Sequence, residues 1–176
     1  MANVTWVLDP THSEIEFKVR HMMISNVKGN FGSFEATILG PDFTSASVEA
    51  SIATASIQTN NTDRDQHLKS SDFFDAEQFP AILFKSKKMT ALSANEYQLI
   101  GDLSIKGISR EVSLEVQYAG VNKDPWGNEK AGFALEGKIN RKDWGLNWNA
   151  ALETGGVLVS DEVKISGELQ FVKKEQ

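Results

Sequence analysis

Apolar and polar residues alternate along most of this chain. Ile15, Phe17 and Val19 are separated by Glu16 and Lys18, and Phe34, Ala36 and Ile38 by Glu35 and Thr37. Val48, Ala50 and Ile52 repeat the pattern, as do Ile82, Phe84 and Ser86 against Leu83, Lys85 and Lys87. Further along come Tyr97, Leu99, Gly101, Leu103 and Ile105, then Val112, Leu114, Val116 and Tyr118. Ala131, Phe133, Leu135 and Ile139 follow, and Val163, Ile165, Leu169 and Phe171 close the series. A period of two places one residue type on each face of a strand, so these runs predict half-buried strands. With the short Val4 to Leu8 piece they make about eight or nine strands.

Turn chemistry separates them: Gly40-Pro41-Asp42, Ser93-Ala94-Asn95, Lys106-Gly107, Asp124-Pro125-Trp126-Gly127-Asn128 and Gly155-Gly156. Strands with one wet face and short connections form an antiparallel meander rather than a parallel βαβ sheet. Closing about eight such strands into a barrel removes the exposed edges. A two-sheet sandwich has the same periodicity and stays open as an alternative. No linker or repeat divides residues 1–176, which are expected to form a single domain.

Residues 62–79, TDRDQHLKSSDFFDAEQF, break the alternation. Thr62, three residues before Asp65, has the spacing of a capping box, and Ser71 or Asp72 offers a second helical start. Pro80 disfavours helical geometry at Phe79. Two short helical turns are therefore predicted here, sealing one end of the barrel.

Composition then narrows the chemistry. A net charge of −6 with scattered basic residues argues against nucleic acid, whose binding depends on a basic stripe. The absence of cysteine excludes disulfides, thiolate metal sites and a cysteine nucleophile. No stretch reaches the roughly 18 apolar residues of a membrane-spanning helix. The opening residues lack a basic segment followed by an apolar run, so a cytoplasmic location is expected, or a periplasmic one if a leader has been removed.

The three histidines, His12, His21 and His67, fall on separate elements without the spacing that preorganises a metal site, so no metal is expected. Asp9, His12 and Ser13 crowd one loop, whereas a catalytic triad draws its members from different elements; a turn role is expected. Arg64, His67 and Leu68 share a helix face, with Leu68 and His67 toward the barrel. Asp63 can pair with His67 four residues on, and Arg64 can bridge helix and strand. A catalytic role for His67 and Arg64 on an apolar substrate is the alternative, although no nucleophile partners them. Around Arg141, the pair Trp144 and Trp148 can stack on a ligand, cover a barrel mouth or stabilise a loop. The inward apolar faces are the largest remaining feature. They either pack solid or line a cavity, since eight strands lie at the size where both occur.

The order of several motifs carries a resemblance over essentially the whole chain. They are Trp6-x-x-Asp9-Pro10-x-His12-Ser13 with Phe17 and His21, Val27-x-Gly29-x-Phe31, and Thr59 with Arg64-Asp65-x-His67-Leu68. Phe73-Phe74, Phe79-Pro80, Phe84, Gly101-x-Leu103-x-x-x-Gly107 and Arg141-x-Asp143-Trp144-Gly145-Leu146 continue it. In these the chain resembles the YceI-like family, lipocalin-like barrels that bind polyisoprenoid or related long-chain lipids. The resemblance implies an all-β, extended antiparallel lipocalin-like barrel whose lumen holds an isoprenoid-type lipid, commonly in a homodimer. It implies transport or storage rather than catalysis, and no cofactor. The chain's own alternation assigns the lumen to Phe17, Val19, Phe31, Phe34, Ile52, Phe84, Leu103, Leu114, Val116, Phe133, Leu135 and Ile165. His67, Arg141 and Trp144 are the candidates for the rim or the lipid head group, and Met22 and Met23 for adaptable lumen or rim positions.

Overall fold

The structure, a computed structural model, describes residues 4–40, 42–149 and 158–175. Its strands are β1 (Val4–Leu8), β2 (Glu14–His21), β3 (Ser25–Phe31), β4 (Phe34–Leu39), β5 (Ser47–Ala53) and β6 (Ile57–Gln58), followed by helix α1 (Thr62–Lys69). Then come β7 (Ala81–Ala91), β8 (Glu96–Ile105), β9 (Ile108–Lys123), β10 (Glu129–Asn140) and β11 (Val159–Glu175). The Gly155-Gly156 turn lies outside the described residues.

All pairings are antiparallel. The sheet runs β1-β4-β5-β7-β8-β9-β10-β11, and β1 bonds back to β11, so the ring closes and the sandwich alternative falls away. The other three strands are continuations past a kink. β2 prolongs β1 along β11, β3 leads into β4, and β6 follows β5 and pairs with β3. With each bent pair taken as one stave, the barrel has eight staves in chain order. That is the up-and-down arrangement expected of sequential hairpins.

The first kink is built by the Asp9–Ser13 segment. Pro10 opens a single 3-10 turn, where its missing N–H leaves no bond unmade. The Asp9 carboxylate accepts from the Thr11 amide (3.1 Å), the Thr11 hydroxyl (2.7 Å) and the Lys130 ammonium (2.9 Å), and meets His12 Nδ1 at 2.8 Å. The Ser13 hydroxyl donates to the Asp9 carbonyl (2.7 Å) and accepts the Gln170 amide of β11 (3.0 Å). Asp9, His12 and Ser13 therefore join the bent stave to its neighbours, and the serine hydroxyl faces backbone rather than the imidazole.

Inside, two packed clusters occupy the ends. One gathers Trp6, Leu8, Ile38, Phe133 and Phe171. Phe43, from the β4–β5 connection, plugs it with ring contacts to Trp6, Tyr118 and Phe133 at 5.7, 5.3 and 5.1 Å. The other gathers Phe31, Ile57, Phe73, Leu103, Trp144 and Leu146 at the α1 end.

The interruption between β6 and β7 departs from expectation in two ways. The helix is capped by Asn61, whose side chain accepts the Arg64 amide at 2.9 Å, and not by Thr62. Asp65 does not reach back to close a capping box, because its carboxylate takes the Thr59 amide (2.8 Å) and hydroxyl (2.5 Å). Nor is there a second helix: after Lys69 the chain continues in turns, with Asp75 at a positive φ of 50°. Burial of Phe73 among Trp148 and His67 decides that path.

The Lys130 ammonium, the Thr11 hydroxyl and His12 hold the Asp9 carboxyl far below its ordinary value of 3.8. A depressed folded-state pKa contributes stability that is complete above the unfolded value and lost as pH falls through the folded one. Asp9→Asn is therefore expected to lower stability by about 1–3 kcal/mol at neutral pH. The gap to the parent should narrow progressively below pH 3.8 in urea titrations at stepped pH.

Candidate functional site

Between the two clusters lies an elongated cavity of about 610 Å³, within the roughly 300–1,000 Å³ typical of small-molecule sites. All twelve positions assigned to the lumen by alternation line it, and every stave contributes at least one. Along β11 the lining runs from Val163 through Ile165 and Leu169 to Phe171, a span of about 26 Å at ~3.3 Å per residue. Space remains because several inward positions are small. Ala36 faces Ala50 across β4 and β5, and both line the cavity. Phe17 lies over Gly29, where a Cβ would stand 2.3 Å from the ring, and Leu114 lies over Gly137 in the same way.

Polar side chains gather toward the α1 end, where His21, Thr59, Asn61, Asp63, Arg64, His67 and Arg141 reach the cavity. β6 pairs with Asn30 and Phe31 of β3, and among the described residues no strand lies beside the outer half of β3 on that side. Residues on both sides of this gap line the cavity, His21 and Val27 beside the β2–β3 turn and Asp63, Arg64 and His67 on α1, and we take it as the mouth.

The helix is held in place from within. Arg64 Nε donates to the Thr59 hydroxyl (2.8 Å) and Nη2 to the Thr59 carbonyl (2.6 Å), fastening α1 to the end of β6. Leu68 and His67 face the cavity, but His67 does not pair with Asp63. Its Nε2 meets Asp72 at 2.9 Å, because the imidazole is clamped edge-on against Trp148 (4.6 Å, 87°) and Phe73 (5.1 Å, 82°). These rings, with Leu68 and Phe74, form a lid between α1 and the β10–β11 connection.

The rim candidates separate. His67 and Arg141 line the cavity, whereas Trp144 does not. It is 2% exposed in the packed cluster, and its indole N–H donates to the Leu103 carbonyl at 2.8 Å. A buried indole requires such an acceptor, and the backbone of β8 supplies it. Trp148 takes the place at the cavity instead. Met22 and Met23 are also absent from the lining and stand exposed on the turn.

Arg141 is 3% exposed, and among the described residues its guanidinium bonds to backbone carbonyls: Ser160 (2.9 Å), Leu146 (2.6 Å), Trp148 (2.9 Å) and Val159 (3.4 Å). Burial pulls its pKa down from the usual arginine value, and the charge of Asp161 acts the other way. Among the described residues, no group of three or more histidine or acidic side chains is arranged to hold a metal ion, and no helix is long and apolar enough to cross a membrane.

Alternation did not reveal every lining residue. Met89 is inward because Lys87 bulges out of β7, shifting the register between Ser86 and Lys88. Phe43 sits in a loop with no period to read. Leu68, Phe73 and Phe74 belong to the aperiodic insertion, whose cluster of phenylalanines was the available signal.

A closed antiparallel barrel of eight staves around a long apolar cavity defines the lipocalin-like class of fold. Within that class the chain belongs to the YceI-like domain family, which matches residues 6–171. It is 41% identical over 174 residues to UPF0312 protein SA2479 of Staphylococcus aureus (strain N315), covering 97% of this chain and 98% of the relative. Among solved structures, the YCEI protein of Campylobacter jejuni superposes with a TM-score of 0.72 at 33% identity, over 89% of each chain. BcnA of Burkholderia cenocepacia shares the fold with a TM-score of 0.80 at 24% identity, over 93% of this chain and 98% of its own. A polyisoprenoid binding domain from Saccharophagus degradans does so with a TM-score of 0.66 at 14% identity, over 95% and 97%.

Replacing Arg141 by methionine removes the donors of four carbonyls at once. A stability loss of about 3 kcal/mol is expected, read as a lower urea midpoint. Arg141→Lys should recover little of it, because an ammonium lacks the planar fork.

Proposed function

We propose that this protein binds one long apolar lipid in its lumen, of the polyisoprenoid or isoprenoid-quinone class, and stores or transfers it without chemical change. The observation that carries this reading is the shape and lining of the cavity: long, narrow, walled by aliphatic and aromatic side chains, and polar mainly near its mouth. An extended chain matches that shape better than a compact ligand does. Burying about 400 Å² of apolar surface gives roughly 10 kcal/mol before ordering costs, so affinity does not require a buried charge partner. The tail lies toward Phe43 and Phe133, and the head group stays near His67 and Arg141 at the α1 end. The fold shared with a polyisoprenoid binding domain agrees with this assignment.

A non-enzymatic role fits the way the polar groups are engaged. His67 is paired with Asp72, and Arg64 donates to the Thr59 hydroxyl and carbonyl, so both are occupied in fastening the lid and the helix. Under the catalytic alternative, His67→Ala removes turnover and spares stability. Under the reading proposed here, it loosens the lid and lowers the melting temperature by a few degrees, roughly the effect of 1 kcal/mol in a domain of this size. Thermal melts beside product analysis with long-chain substrates distinguish the two.

The direct test is organic extraction of protein purified from its host, followed by mass spectrometry. A stoichiometric prenyl-type lipid is expected in the extract. Ala50→Phe projects a ring into the lumen opposite Ala36, and should reduce the extracted lipid at least tenfold while the barrel still folds. An extract without lipid, together with no uptake of an added prenyl probe, defeats the reading.

A further inference from the structure

The β2–β3 turn is apolar, exposed and conformationally costly. Met22, Met23 and Ile24 are 45%, 52% and 76% exposed. Met22 and Met23 sit at positive φ, 54° and 62°, the two central positions of a turn closed by the Ile24 amide on the His21 carbonyl. Asn-Gly is the usual occupant of such a pair of positions, because side chains without a local hydrogen bond are strained there. The turn forms a lip of the lumen. His21 and Val27, on either side of it, line the cavity, and the Met22 amide donates to the carbonyl of Leu158, which also lines it.

Below the turn, the outer wall carries a row of cations. Lys18 of β2 stands directly opposite Lys28 of β3 on one side and Lys164 of β11 on the other, and Lys164 stands opposite Lys138 of β10. Their chain neighbours Phe17, Val19, Val27, Ile139, Val163 and Ile165 face the cavity, so the four ammonium groups point outward together. Only Lys138 has a carboxylate within reach among the described residues, Glu162 at 4.0 Å. Like charges placed directly opposite oppose strand pairing, so the fold itself does not call for this row. Arg20 lies between the row and the turn, its Nε donating to the Met23 carbonyl at 3.4 Å.

Farther from the turn the sign reverses. Glu16 and Glu136 occupy the next outward row, and Glu14 faces Glu168 in the one after it. Across the mouth, α1 and the turns after it carry Asp63, Asp72, Asp75 and Glu77 alongside Lys69. Along β2 the outward positions thus run from the apolar turn through Arg20 and Lys18 to Glu16 and Glu14, with Glu162 of β11 an acidic residue on the turn side of the row, in a chain of net charge −6.

We propose that the Met22–Ile24 turn and the lysine row beneath it dock the mouth of the lumen onto an anionic phospholipid surface. The thioethers and the isoleucine enter the headgroup boundary, where unbranched Met side chains adapt to irregular apolar surroundings. The ammonium row meets anionic headgroups, and the acidic rows beyond it are repelled. Docking is therefore one-sided, with the mouth against the bilayer and the helical lip raised. Apolar insertion plus a basic patch is the two-signal combination that reversible membrane attachment requires. The proposal rests on the lipid-binding reading only for what passes through the mouth; the docking surface is independent of the lumen's contents.

Flotation with vesicles tests it, using phosphatidylcholine alone and phosphatidylcholine mixed with phosphatidylglycerol. The protein is expected to float with the mixed vesicles, and to lose most of that binding in high salt. Met22→Asn with Met23→Gly should abolish flotation. Lys18→Gln, Lys28→Gln and Lys164→Gln should each weaken it about fivefold. Both sets are expected to melt no lower than the parent, because one fits the turn and the other relieves like-charge pairs. Misfolding then does not account for lost binding. Absence of flotation with mixed vesicles, or equal flotation by parent and variants, overturns the proposal. So does sedimentation showing a dimer that the turn variant disperses, since the lip is then an interface between copies. An empty extract from protein that still docks defeats the lumen reading alone, and lipid in protein that never docks defeats this one alone.

Discussion

The barrel depends on one contact, the pairing of five-residue β1 with the far end of β11. Without it the first stave stays bonded to β11 only through β2, and the end of the barrel packed around Trp6 and Phe171 opens to water. β11 accepts β2 along its first half and β1 along its second, so a single long strand serves both halves of the first stave. That division works only if the chain turns at a fixed place between them. The turn is fixed by Asp9, whose carboxylate gathers Thr11, His12 and Lys130, and by Ser13, which reaches Gln170. A short polar knot on the wall thereby fixes where the first stave bends and so holds the Trp6 end of the interior shut.

Given closure, the cavity follows from residue volume. Eight staves can be filled by side chains or left with room, and this chain does each in a different place. Aromatic rings concentrate at the ends, with Phe43, Tyr118 and Phe133 at one and Phe73, His67 and Trp148 at the other. Between them, Ala36, Ala50, Gly29 and Gly137 keep the walls thin enough for larger neighbours to lie flat. Thr59, Arg64, His67 and Arg141 near the mouth are engaged with the protein itself. Arg64 secures the helix and Arg141 secures the β10–β11 connection, so charged side chains build the frame around an apolar space.

Much of this was legible in the sequence because a period of two is the direct imprint of a wall with one dry face. The twelve positions read from alternation all border the cavity. What was not legible has identifiable causes. Met89 escaped because a one-residue bulge at Lys87 reverses the phase of β7, and no local residue announces it. The helix cap moved from Thr62 to Asn61 because Thr59, distant in pattern but close in space, claims the Asp65 carboxylate. Trp144 and Trp148 are equivalent in the sequence. Only the position of the Leu103 carbonyl sends the first into the packed end and leaves the second at the lumen.

The ring of Phe43 has a consequence for selectivity. A tube open at both ends accepts chains of any length, because the excess can emerge on the far side. Here one end is occupied by an aromatic stopper borne on the β4–β5 connection. On the lipid-binding reading proposed above, a guest enters tail first and comes to rest against a fixed floor. The depth from that floor to the lip then works as a gauge: a chain that is too short draws its polar head into apolar surroundings, and one that is too long leaves carbon exposed to water. On that reading, selection by length follows from the position of a single ring.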